Sequence, residues 1–120
     1  MDRKNLKKKA ESEEILAENR GEDTLFQRRE NLQKHTSYAS ERMQYEAIRN
    51  GQPERIRSVM QRELDGTPGI LSKNQLRNSK NMFIAGITLF TRAAIEGGVP
   101  EETAYSLSDG YIQTVEECMD

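Results

Sequence analysis

The sequence has one cysteine, one histidine, three prolines and no tryptophan, and only 6% of its 120 residues are aromatic. Each shortage excludes something. A lone Cys118 forms no intrachain disulfide, and with His35 it offers two ligands where a structural zinc site needs four. Cys118 also stands beside Glu116 and Glu117, whose charge suits a cysteine nucleophile poorly. No phosphate-binding glycine loop, dinucleotide fingerprint or nucleophile elbow is present. The carboxylate pairs Glu13-Glu14, Glu101-Glu102 and Glu116-Glu117 are adjacent residues, which point apart on a helix. These absences predict no catalysis, no metal and no cofactor.

Long apolar runs are missing too. The longest, Met82 to Ile95, is interrupted by Thr88, Thr91 and Arg92, and falls short of the roughly 20 apolar residues that cross a bilayer. Met1 is followed by Asp2, Arg3, Lys4 and then Lys7, Lys8 and Lys9, with no apolar signal-peptide core. The expected location is the cytoplasm. Nor is there a basic excess: the formal net charge is -2, unlike a surface dedicated to phosphate backbones. Direct nucleic-acid binding is not expected, and the three consecutive lysines, followed soon by acidic residues, read as a solvated stretch.

The apolar set makes up 34% of the chain, and counting glycine lifts it only to about 41%, below the 45 to 50% of ordinary globular domains. The shortage is concentrated early. From Met1 to about Arg29 the apolar residues are too sparse to offset the entropy of ordering the backbone independently. Residues 1–36 are therefore expected to be a charged tail or linker, flexible or helical only against a partner, and residues 37–120 a helical domain.

What is present from there on has helical spacing. Ser37 or Ser40 can cap a helix that carries Ala39, Met43, Ala47 and Ile48 on one face and ends at Asn50-Gly51. Pro53 opens a second, with Ile56, Val59, Met60 and Leu64. Asp65 to Gly69, with two glycines and a proline, reads as a loop. Ser72-Lys73-Asn74-Gln75 matches a capping box that would open the longest helix, Lys73 to Glu96. That helix is apolar nearly all round in its second half, which predicts a buried central element. Gly97-Gly98-Val99-Pro100 stops it, and a final helix, bent near Gly110, would carry Ala104, Tyr105, Leu107, Tyr111, Ile112, Val115 and Met119. No period-2 alternation is long enough for a sheet. The expected fold is all-α, a small bundle of four to five helices.

Two features carry functional expectations. Arg92 lies inside the apolar run, so it should be buried and paired with Glu96, Asp109 or Glu116. The competing reading is an anionic-ligand pocket lined by Arg92 and by Tyr105 or Tyr111. The segment Ala94 to Ala104 has the outline of a helix-turn-helix. Its second helix would present Glu101, Glu102, Thr103, Tyr105, Ser106 and Asp109 without a single Lys or Arg, so it is read as a joint between packed helices. Phe83, Ile87, Phe90, Ile112 and Val115 are the candidates for self-association.

Three blocks also resemble a known family. Leu71-Ser72-Lys73-Asn74-Gln75-Leu76-Arg77-Asn78-Ser79-Lys80-Asn81, then Thr91-Arg92-Ala93-Ala94-Ile95-Glu96-Gly97-Gly98, then Ala104-Tyr105-Ser106-Leu107-Ser108-Asp109 with Tyr111-Ile112-Gln113, are similar to a region of AraC-type transcriptional regulators of Firmicutes. Arg28-Arg29-Glu30-Asn31 and Glu46-Ala47-Ile48-Arg49-Asn50-Gly51 resemble it more weakly, so the likeness runs from about Arg28 to Asp120. In that family the region lies immediately before the DNA-binding domain. The resemblance implies a regulatory or dimerisation module, a homodimer, and a paired helix-turn-helix domain that would begin just after Asp120. This sequence lacks that domain, as a piece of a longer regulator or as a short relative would. The alternatives are a small-molecule sensor with its pocket near Arg92 and a stand-alone helical adaptor.

Overall fold

A computed structural model describes residues 2–61 and 65–119. Five α-helices follow in order: α1 (Arg3–Glu30), α2 (Tyr38–Arg49), α3 (Pro53–Met60), α4 (Gln75–Glu96) and α5 (Glu101–Glu117). No strand occurs among the described residues beyond an isolated bridge between His35 and Thr67. The fold is all-helical, as the sequence predicts. The chain divides into two units, residues 1–34 and 35–120.

The first unit is α1, where a tail or a partner-dependent helix is expected. It is a continuous helix of 28 residues with none buried. Lys, Glu, Arg, Ala, Leu and Gln fill most of it, and these lose little side-chain freedom on becoming helical. Asp2 caps its start by accepting from the Asn5 amide at 2.9 Å. At its end the Leu32 amide donates to the Arg29 carbonyl and the Gln33 amide to that of Arg28. That Schellman arrangement places Leu32 at φ 53, a left-handed conformation usually left to glycine.

The second unit begins with the loop at His35. Ser37 caps α2, its hydroxyl accepting from the Ser40 amide at 3.1 Å. Asp65, from the loop after α3, accepts from both the amide and the hydroxyl of Ser37, which ties that loop to the positive end of α2. Gly51, at φ 61, and Gly98, at φ 111, terminate α2 and α4 in the arrangement that Leu32 supplies for α1. Pro53 opens α3 as expected, but the helix ends at Met60, and Leu64 lies outside the described residues.

Helix α4 starts two residues later than predicted. Asn74 caps it, accepting from the Arg77 amide at 2.8 Å, while Ser72 accepts from the Asn74 amide instead of closing a capping box with Gln75. Asn and Ser are equally good caps, and here the Asn74 carboxamide takes the third amide of the helix while Ser72 braces the turn before it. Helix α5 runs through Gly110 without interruption.

Packing in this unit is serial. α2 packs on α3 and on α4, α4 packs on α2 and on α5, and no contact joins α2 or α3 to α5 among the described residues. α4 is thus the central helix of an open array whose ends do not meet. The core is correspondingly thin: Ala47, Val59, Ala93 and Ala104 are its buried apolar residues, and no large side chain is fully buried among the described residues. α4 was expected to be buried nearly all round. Its burial is partial instead, with Thr91 and Ala93 enclosed and Met82, Phe83 and Leu89 exposed, because helices lie on two of its flanks only.

Candidate functional site

The central helix and α5 meet through two kinds of surface. One is a polar clamp built almost entirely from the first resembling block. Asn78 Oδ1 accepts from the amides of Leu71 and Ser72, and Asn81 Nδ2 donates to the Leu71 carbonyl at 3.3 Å. These bonds hold the incoming loop against the first turns of α4. Arg77 Nε donates to Asn81 Oδ1 at 3.1 Å, and its other arm donates to Glu116 Oε2 at 3.0 Å. Lys80 Nζ donates to the Glu116 carbonyl at 2.7 Å, satisfying one of the orphan carbonyls in the last turn of α5. The Arg77 guanidinium, by hydrogen bond and charge, holds the Glu116 carboxyl below its ordinary range. Two helices and a loop are thereby fixed at one end. The polar side chains of Arg77 to Asn81 thereby act as a scaffold for loop, α4 and α5.

The other end is fixed by a close approach. A Cβ added to Gly97 would lie 2.3 Å from the Arg49 carbonyl oxygen, so the ends of α2 and α4 touch backbone to backbone. Only glycine fits there, although its φ of -79 is open to any residue.

Arg92 departs from expectation. It is exposed, its guanidinium lies over the Tyr105 ring at 5.1 Å, and it makes no ion pair among the described residues. Its proposed partners are engaged elsewhere or face water. Glu96 lies against the half-buried Tyr45 phenol, which burial and then the hydrogen bond to Glu96 push up from its ordinary value. Glu116 belongs to Arg77, and Asp109 is exposed. A cation over an aromatic face is a stable arrangement at a wet surface, so Arg92 needs no buried carboxylate.

Clefts lie at three places, among others, in the described residues of the second unit. One of about 310 Å³ is bounded by His35, Glu41 and Gln44 on one side and by Met82, Gly86 and Leu89 on the other. A second, of about 240 Å³, is lined by Tyr38, Glu41, Arg42, Tyr45 and Leu89. The third, of about 220 Å³, is a shallow and almost wholly apolar groove between α4 and α5, lined chiefly by Ile87, Phe90, Ala94, Val99, Leu107 and Tyr111. Arg92, Tyr105 and Asp109 line none of the three, so the pocket near Arg92 has no counterpart in them.

The self-association candidates separate. Ile87 and Phe90 line the groove, and Phe83, 41% exposed, stands one turn before Ile87 on the same stripe of α4. Ile112 and Val115 are half-buried on the stripe of α5 that carries the buried Ala104 and Ser108, and so serve the contact with α4. The self-association candidates read from the sequence did not include Leu107, 57% exposed at the groove's rim, where Tyr111 is 56% exposed. Its spacing of three and four from Ala104 and Tyr111 was the available signal.

His35 lies in the loop before α2, and Cys118, exposed at the end of α5, donates to the Thr114 carbonyl. No group of three metal-ligating side chains occurs among the described residues, and none of their helices is long and apolar enough to cross a membrane.

Compared with models of known families, with curated proteins and with solved structures, the chain matches none.

Proposed function

We propose that residues 35–120 form the helical regulatory module of an AraC-like bacterial transcription regulator. The module works by self-association and passes the resulting geometry to a DNA-binding domain. It reads no base sequence and catalyses no reaction.

One observation carries the reading: an open array of four helices leaves the apolar α4–α5 face uncovered and encloses no large side chain among the described residues. A helical layer is stable when a second layer covers its apolar side, so the array is suited to association. The AraC-like character rests on the three sequence blocks. They supply the clamp between loop, α4 and α5, the Gly97 seat against Arg49, and the stripe of α5 that packs on α4. The acidic first turn of α5, Glu101 and Glu102, is unsuited to phosphates and agrees with a module that leaves DNA to another domain.

The test is a fusion of the whole chain to a DNA-binding domain that occupies its operator only as a dimer. Repression of a reporter is expected, and its absence at normal expression would overturn the proposal. The reading frame following Asp120 in the gene separates the remaining alternatives. Two helix-turn-helix motifs are expected there, whereas a stop codon would favour a stand-alone adaptor.

A further inference from the structure

The cleft of about 310 Å³ between α2 and α4 takes no part in the clamp or in the contact with α5. Its volume falls at the small end of the roughly 300 to 1,000 Å³ of ligand pockets. The two walls differ in character. Met82, Gly86, Leu89 and Phe90 form an apolar side on α4, and Glu41 and Gln44 form a polar side on the first two turns of α2. The loop that borders the cleft is held in place, because Asp65 accepts from the Ser37 amide and hydroxyl, and Thr67 bridges to His35.

Two residues of this cleft are not accounted for by the fold. Gly86 lies in the middle of α4, with Met82 and Phe90 one turn away on either side. Glycine weakens a helix interior relative to alanine, yet neither a close approach nor a positive φ requires it here. A Cβ would meet only the edge of the Phe90 ring, at 3.8 Å. What the missing side chain provides is depth, an open floor between two large apolar residues. Glu41 is the second. It is the one carboxylate lining this cleft, and it joins no ion pair among the described residues. Glu41 and Leu89 also line the neighbouring cleft of about 240 Å³, so the carboxylate stands where the two spaces meet. Arg42, the cation lining that second space, is taken by Glu46 at 2.8 Å and lies over the Tyr45 ring.

We infer that this cleft binds a small organic ammonium ion, its apolar body seated on Gly86 between Met82, Leu89 and Phe90 and its N–H groups donating to Glu41. Charge-assisted hydrogen bonds of this kind are short and strong. An anion would meet Glu41 with no free cation to balance it, and a wholly apolar ligand would cover the carboxylate without pairing it, which is costly. An apolar wall with a few placed polar groups is the usual make-up of a small-molecule site. The cleft shares only Phe90 with the α4–α5 groove, so the inference goes beyond the self-association reading and does not depend on it.

Titration of the isotope-labelled full-length chain with phenethylammonium chloride, followed by amide NMR shifts, tests it. Saturable shifts are expected around Glu41, Gly86 and Leu89, with a dissociation constant of about 1 mM or lower. Phenethyl alcohol, the same body without the charge, should bind about 10-fold more weakly, the loss expected for a hydrogen bond to a charged group. Phenylacetate should not bind measurably. Glu41→Gln, at an exposed position, should weaken the ammonium ion by the same factor of about 10 and leave the alcohol unchanged. Gly86→Leu should fill the floor and abolish binding of both. Circular dichroism checks that its helices remain, and Glu41→Gln carries the test if they do not. No saturable shift by about 20 mM, equal binding of ammonium ion and alcohol, indifference to Glu41→Gln, or shifts centred on α5 would each overturn the assigned site. None of these outcomes alters the result expected of the fusion to a DNA-binding domain.

Discussion

The two long helices of this protein, α1 and α4, are held in opposite ways. α1 has 28 residues and buries none of them, so what supports it is local: an Asp2 cap, helix-forming composition and a Schellman end. α4 has 22 residues, two of them buried, and is anchored at both ends by residues distant in sequence. Even the terminators differ, since Gly98 closes α4 at a left-handed position that is occupied in α1 by Leu32. The contrast shows that helix content and a hydrophobic core are separate achievements. Propensity alone writes a long helix, whereas a place in a packed array needs glycines where backbones touch and polar side chains where loops end.

The sharpest way to break the comparison is at the close approach. Gly97→Ala puts a methyl group against the Arg49 carbonyl, at a contact between two backbones with no side chain free to move aside. The expected loss is about 3 kcal/mol of stability, the upper part of the usual overpacking range. Urea unfolding followed by circular dichroism measures it. An unchanged midpoint would show that α2 and α4 separate there without cost.

A smaller effect is expected from acid. Glu116 is held below its ordinary range by Arg77, and Asp65 by the Ser37 hydroxyl and amide. In the unfolded chain both carboxyls take up protons near their usual values, about pH 4, while the folded chain resists until lower pH. The stabilisation is thus complete above the ordinary carboxylate range and fades as pH falls through the folded values. The urea midpoint should drop between about pH 5 and pH 3, with a shallower drop in Arg77→Met, which lacks the partner of Glu116. The same slope in that variant would remove the clamp from the account.

Much of this architecture was legible in the sequence. Ser37, Asn50-Gly51, Pro53 and Gly97-Gly98 mark helix boundaries through local chemistry, and local chemistry is what a linear reading resolves. Arg92 was misread because its surroundings in sequence are apolar, while its surroundings in space depend on which flank of α4 a neighbouring helix covers. The Asn78 and Asn81 bonds to Leu71, and the partnership of Arg77 with Glu116 across 39 positions, leave no periodic trace. The groove was half legible: Phe83, Ile87 and Phe90 announce themselves by spacing on α4. Leu107 was read only as one of the apolar residues of the final helix, because periodicity does not tell a covered stripe from an open one.

The smallest predicted effect tests the other side of the comparison, the locally supported α1. Leu32 sits at φ 53 and is 93% exposed, so its side chain gains little from burial while its backbone bears the cost of a left-handed position. For a residue with a Cβ that cost is about 1 to 2 kcal/mol. Leu32→Gly removes it, and the added freedom of glycine in the unfolded chain returns about 0.4 to 1 kcal/mol. The net gain is small and local. Hydrogen exchange should slow at the Leu32 and Gln33 amides, which donate to the Arg29 and Arg28 carbonyls. Amides in α4 should be unaffected, because α4 is fixed by contacts that α1 does not use. Faster exchange at Gln33 would mean that the leucine side chain itself holds the end of α1, and the view of that helix as the product of local chemistry alone would fail.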